Sequence, residues 1–391
     1  MTDALDGIKV LDLAINYAGP TSSTYLADHG ADVIKVERRT VGDTSRRSGN
    51  TPFLKLNSYA FMAINRGKRS ITLDISKSEG QEVLRDLVRG ADVLVENFRP
   101  GVMERHGLGY EALSEINPRL VYASLSAYGS KGPLADQAGF DGLAQGLAGA
   151  MYKRDAQGRP QPTGIWICDW GAPMLMALGI MLALFARDRT GRGQRVETSL
   201  LQAALAMQFS QLTLVPNNPT PPREADSAAN TTYRCADGAY VNINVWLPEQ
   251  FSRLCRTLDL PDLADDPRNL DPLRRQELNK EFEPILEALM ANRPSHEWLA
   301  ILSEADIPCA PIIDRAQVPF QEQVLANEMM VTIDHPVVGE THIVGTPLRL
   351  SETPSVQLKA APTLGQHTAE ILGALGYPPE RIAALRAAEV I

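Results

Sequence analysis

"IKVLDLAINYAGPTSSTYLADHGADVIKVE", residues 8–37, decides the fold class. Residues 8–14 form a short apolar run of strand length, 19–30 read as a helix start and helix, and 31–37 form a second strand, closed by Arg38 and Arg39. The pattern recurs downstream. Strands are predicted at 69–75, 91–98 and 120–129, with a helix over 78–90 that places Val83, Leu84, Leu87 and Val88 on one face and Gly90 past its end. Strand–helix–strand alternation with short connections implies an α/β domain with a mainly parallel sheet. Ligands of such sheets bind outside the carboxyl ends of the strands.

The rest of the chain bounds the organisation. A Gly/Ala-rich helix is predicted over 141–150, an apolar run over 172–186, and a two-glycine turn, "TGRGQ", before a strand in "RVETSL" (195–200). We read residues 1–200 as the large domain and 201–230 as a linker centred on "VPNNPTPPREADSAAN" (215–230). A smaller α+β domain follows over 231–325, and residues 326–391 form a C-terminal segment of strands, turns and a closing helix.

Composition excludes several classes. The 391 residues carry a net charge of −9, with 44% hydrophobic and 22% charged residues. That is ordinary for a soluble globular protein and lacks the basic excess of a nucleic-acid binder. The N-terminus has early acidic residues and no apolar signal core, so the expected location is cytoplasmic. The apolar run of 15 residues, with Pro173 and Gly179 inside it, reads as a buried helix rather than a membrane span. Four cysteines without CxxC spacing read as reduced thiols, and six scattered histidines give no metal motif.

Several residues carry alternative readings. The single glycine in "INYAGPTSS" (15–23) is not a dinucleotide fingerprint, although the helix start offers N–H groups to an anion. Arg38 and Arg39 are either phosphate ligands or solvated charges closing a strand. Asn97, Phe98 and Arg105, in "ENFRPGVMERHGLG" (96–109), suit a nucleotide-like ligand, or else a helix cap followed by a core phenylalanine. Asp141 in "GFDGLAQ" fits an N-cap of its own helix. Asp169, in "PTGIWICDWGAPML" (162–175), fits an N-cap of a helix beginning near Trp170, with Pro173 in its first turn. It also fits an ionised, poorly hydrated carboxylate able to act as a covalent nucleophile. No GxSxG motif competes with it.

The blocks "LDGIKVLDL", "AGP", "GADVIKVERR", "RSITLD", "ADVLVENFRPG", "NPRLVYASLSAYG" and "TGRGQRVETSL", with "GTPLRLSETP" and "LGQHTAEIL" later, run in order through nearly the whole chain. Together they resemble the class III CoA-transferases, a group that also holds formyl-CoA transferase, carnitine CoA-transferase and the α-methylacyl-CoA racemases. The resemblance implies a Rossmann-like large domain, a small α+β domain and an interlocked homodimer. It implies a CoA thioester as substrate, with no resident cofactor and no metal. The CoA contacts would fall on Asn16, Tyr17, Ala18, Arg38, Leu73, Asn97, Phe98 and Arg105. Where relatives place a lysine just after the third strand, this chain reads Ile75-Ser76-Lys77.

Asp169 holds the place of the family's catalytic aspartate. The implied mechanism is a double displacement through an aspartyl anhydride and an aspartyl-CoA thioester. Phe140, Asp141, Trp166 and Trp170 would support the acyl pocket, the tryptophans and Ile167 keeping water out. Small dicarboxylates such as succinate fit the class. Racemases of the family need a histidine where this chain has Phe140, which leaves two-base proton exchange without one partner. A non-catalytic acyl-CoA-binding protein, with Asp169 as a cap, is the reading from a different class. The family's glycine-run lid is absent, and the segment around Asn230 to Tyr233 is the candidate in its place.

Overall fold

Six strands form one parallel sheet: β1 (Lys9–Asp12), β2 (Asp32–Glu37), β3 (Arg69–Thr72), β4 (Val93–Glu96), β5 (Val121–Ser126) and β6 (Arg195–Ser199). Their order is β3-β2-β1-β4-β5-β6. The computed structural model describes residues 3–49, 54, 56–216, 228–270 and 274–391. Both faces of the sheet are buried, which is why its strands read as near-continuous apolar runs. Successive side chains of a strand enter opposite cores. Val10, Val93, Val95 and Ala123 face one core, together with Met176, Ile180 and Ala203. Leu11, Leu94 and Tyr122 face the other, with Val83, Leu84, Ile371, Leu385 and Val390.

The chain divides into two units, Met1–Thr213 with Ala326–Ile391, and Leu214–Leu325. In the second unit, β7 (Asn230–Arg234), β8 (Tyr240–Asn244) and β9 (Cys309–Pro311) form an antiparallel sheet over a separate core that includes Val241, Phe251, Leu254 and Phe282. The candidate lid around Asn230 to Tyr233 is therefore strand β7, hydrogen-bonded along its length to β8. In the first unit, β10 (Met330–His335) and β11 (Gly339–Val344) form a hairpin.

Two expectations change. A linker over 201–230 is expected, but Leu200–Ala206 is a helix whose Ser199 side chain accepts the N–H of Gln202. Residues 217–227 of that stretch lie outside the described residues. The apolar run belongs to a longer helix, Ile167–Thr190, of 24 residues. By length and composition it could cross a bilayer. Here one face, with Met176, Ile180, Ala183 and Leu184, lies in the core of the large unit. The opposite face exposes Met174, Leu178, Met181, Leu182 and Phe185, so the helix is half buried rather than buried. Gly191 ends it at φ +73°, its N–H donating to Arg187 O at 2.7 Å, which accounts for the first glycine of "TGRGQ".

Candidate active site

The strand order reverses between β1 and β4, so the loops after these strands diverge and open a crevice. Asn97 spans that crevice. Its Oδ1 accepts the Ile15 N–H at 2.8 Å and its Nδ2 donates to Ile15 O at 2.7 Å. Gly19 permits this closeness, since a Cβ there would lie 2.3 Å from Ala14 Cβ and 3.1 Å from Asn97 Cγ. Asn16 takes φ +69°, a left-handed conformation that asparagine tolerates, and its N–H donates to Asp43 Oδ1 at 2.9 Å.

Under this loop lies a buried ionic network. Lys35 Nζ sits 2.9 Å from Asp43 and 3.6 Å from Asp12, and donates to Ala14 O. Lys68 Nζ bonds Asp12 at 2.8 Å, and Arg46 bonds Glu37 at 2.7 Å. Burial alone would raise the Asp12 carboxyl, but the charges of Lys35 and Lys68 outweigh it and hold Asp12 below the usual range. Three cations and three carboxylates thus fix the carboxyl ends of β1 and β2 from below.

Outside the ends of β1 to β4 lies a cavity of about 540 Å³. Ile15, Arg38, Leu73 and Phe98 line it, each just after a different strand. Apolar walls beside cations suit a ligand with a flat ring and anionic groups. Among the described residues no carboxylate lies within ion-pair distance of Arg38, whereas Arg39 bonds Glu389 at 2.7 Å. Lys77 also lines the cavity, but its ammonium donates to Ala388 O at 2.7 Å and Glu389 O at 3.2 Å.

The other expected contacts do not line this cavity. Asn97 is engaged in the clasp and Ala18 is buried at the helix start. Arg105 is exposed on the short helix Val102–Arg105 and does not line the cavity, though the following His106 does.

From the cavity the chain runs through Ile15 and Asn16 to Tyr17. The Tyr17 ring meets Trp166 edge-on at 4.9 Å and Trp170 at 6.1 Å between centroids. These two tryptophans flank Asp169. The helix carrying it begins at Ile167, with Trp166 as its cap residue, so Asp169 lies in the first turn and is not the N-cap. The capping is done from another helix. Asp141 Oδ2 accepts the N–H groups of Cys168 at 2.7 Å and Asp169 at 3.0 Å. Asp141 therefore caps the neighbouring helix rather than its own, Asp141–Leu147, which has no side-chain cap. Gln145 holds Asp141 Oδ1 at 2.5 Å and accepts the Thr163 N–H at 3.1 Å.

The Asp169 carboxylate meets no hydrogen-bond donor among the described residues. Burial, and secondly the Asp141 charge, raise it to about 7. Pro173 lies inside the helix, beyond the first turn, and lacks the N–H that the Asp169 carbonyl would otherwise accept. Burial pushes the adjacent Cys168 thiol up to about 12, which keeps it neutral. Trp166 is 50% exposed and Phe140 62% exposed, so the apolar wall expected around Asp169 is open in the single chain.

A family model described as CoA-transferase family III matches residues 5–368. The chain belongs to that family. Formyl-CoA:oxalate CoA-transferase of Streptomyces avermitilis is 36% identical, with 100% of both chains covered. Succinyl-CoA:glutarate CoA-transferase of Mus musculus is 34% identical over 94% of this chain and 85% of that protein. A CAIB/BAIF family protein from Brucella suis, of solved crystal structure, superposes with a TM-score of 0.83 at 34% identity, covering 96% of this chain and 100% of that one. The chain is thus a class III CoA-transferase enzyme, of a family whose substrates are CoA thioesters and carboxylic acids.

Within this family frame, sequence reasoning missed the ionic network and Glu389. Lys35 was legible only as a lysine inside an apolar strand, "VIKVE", with no spacing to link it to Asp12 or Asp43. Glu389 lies 350 residues from the arginine it meets, and nothing local marks it.

Proposed function

We propose that this protein moves CoA between carboxylic acids through covalent catalysis by Asp169. The observation that carries this reading is the state of that carboxylate: in the first turn of an apolar helix, without a donor among the described residues, and raised to about 7. Above pH 7 it is mostly ionised yet weakly solvated, which favours nucleophilic attack. The cavity at Arg38, Leu73 and Phe98 would take the nucleotide end of CoA, and the path along Ile15 to Tyr17 would lead its thioester toward Asp169.

In the proposed mechanism an Asp169 oxygen attacks the acyl-CoA carbonyl. The C–S bond breaks, giving a mixed anhydride and CoA thiolate. The thiolate then attacks the aspartyl carbonyl, forming the aspartyl-CoA thioester and expelling the donor carboxylate. The acceptor carboxylate attacks that thioester, and the two steps run in reverse to release acyl-CoA and free Asp169. Thiolate and carboxylate both leave without a Lewis acid, so the chemistry calls for no metal. Oxalate and glutarate, named for the relatives, are both dicarboxylates, which favours a small dicarboxylic acid such as succinate among this protein's substrates.

The working form is proposed to be an interlocked cytoplasmic homodimer. A helix apolar all round is normally covered on every side, and the exposed stripe from Met174 to Phe185 supports a second copy there. The same covering would close the wall around Trp166 and Phe140. The test is to incubate the protein with succinyl-CoA, treat it with hydroxylamine or borohydride, and map modified residues by mass spectrometry. An adduct at Asp169, lost in Asp169→Asn, is expected. Solvent deuterium at the substrate α-carbon without any acceptor acid would replace this reading with a racemase. CoA binding with neither outcome would leave an acyl-CoA-binding protein.

A further inference from the structure

Glu389, in the segment 388–391, builds part of the cavity wall. Val390 and Ile391 are buried in the core. The Asp74 N–H donates to Val390 O at 2.8 Å, and Lys77 holds the carbonyls of Ala388 and Glu389. Between these anchors Glu389 takes φ +56°, a conformation costly for a non-glycine residue unless its surroundings impose it. The Glu389 carboxylate meets the Arg39 guanidinium at 2.7 Å, and both residues line the cavity beside Arg38.

The charges at the cavity fall into two sets. Lys35 with Asp43, and Glu37 with Arg46, are buried and neutralise one another. The accessible set is Arg38, Arg39 and Lys77 against Asp74 and Glu389. Asp74 is occupied, accepting from Ser76 Oγ at 2.6 Å and Ser76 N at 3.0 Å. The Arg39 and Glu389 side chains are 34% and 66% exposed, so their pair forms in water and is weak enough for a ligand to displace.

We infer that Glu389 sets CoA affinity as a counter-charge, its carboxylate competing with the ligand's phosphates for the Arg39 guanidinium. This rests on the reading of the cavity as the CoA site. An anion that takes the Arg39 guanidinium must break the Arg39–Glu389 pair, and one held at Arg38 still lies in a cavity that a carboxylate lines. Binding is therefore weaker, and release faster, than the three cations alone would give.

The test is calorimetric titration of coenzyme A into the full-length wild type, Glu389→Gln, Arg39→Gln and the double variant, at low and high salt. Glu389→Gln is expected to bind CoA about two- to five-fold tighter than wild type. The gain should be smaller in the Arg39→Gln background and at high salt. Equal affinity of wild type and Glu389→Gln overturns the inference. So does weaker binding with a lowered melting temperature, which would make Glu389 a brace for the 388–391 segment. Absence of CoA binding by the wild type overturns the reading of the cavity, and this inference with it.

Discussion

Asp141 and Asp169 meet through the backbone: Asp141 Oδ2 accepts the Asp169 N–H at 3.0 Å and the Cys168 N–H at 2.7 Å. One carboxylate caps the helix and the other meets no donor among the described residues. The capping charge also raises the second carboxyl, after burial has done most of that. This division of labour leads directly to the pH dependence.

With Asp169 raised to about 7 in the free enzyme, kcat/KM for the acyl-CoA donor should rise through pH 7 and level off above it, because in the proposed mechanism the ionised form attacks. Asp141→Asn keeps an acceptor for the two N–H groups but removes the like charge. Its rising limb should move to lower pH, though not to that of a free carboxylate, since burial remains. A profile measured from pH 5.5 to 9 checks both expectations.

The same carboxyl has a stability consequence. Its folded pKa, about 7, lies above the unfolded value of 3.8. Between these values the folded state binds more protons, so stability falls as pH rises through the window. Asp169→Asn removes that penalty. Its melting temperature should exceed the wild type's at pH 8 and converge with it toward pH 4, while transfer activity is lost. Thermal melts of both proteins across that range provide the check.

The Asn97 clasp has a size that can be measured. Asn97→Ala leaves the Ile15 N–H and C=O without their partners and should cost about 1–3 kcal/mol. Because Ile15 lines the cavity, KM for acyl-CoA should rise as well. Denaturant unfolding and steady-state kinetics on one preparation would read both effects. Full stability in the variant would mean that the loop after β1 is held elsewhere.

The exposed helix stripe predicts assembly. Leu178→Glu combined with Leu182→Glu puts two charges on the face proposed to bury against a second copy. Sedimentation should show a dimer for the wild type and monomer for the variant, with activity lost alongside. A variant that remains dimeric would move the interface to another surface.

The strands and the Ser78–Arg89 helix were legible because each is written locally, as an apolar run or a one-faced helical stripe closed by a glycine. The start of the Ile167–Thr190 helix was not. Its cap, Asp141, lies 26 residues before Ile167, and the local pattern pointed instead to Asp169 as its own cap. Lys77 was readable as a cation beside the third strand, but its tie to the carbonyls of Ala388 and Glu389 was not.

By itself the sequence determined the α/β class, the parallel strands and the family, since these follow from period, turn residues and blocks in fixed order. Only the tertiary structure decided which carboxylate caps and which is free, which arginine is paired, and how Asn97 closes the crevice. Those facts depend on groups tens to hundreds of residues apart meeting within hydrogen-bond distance, and burial then changes what each charge can do.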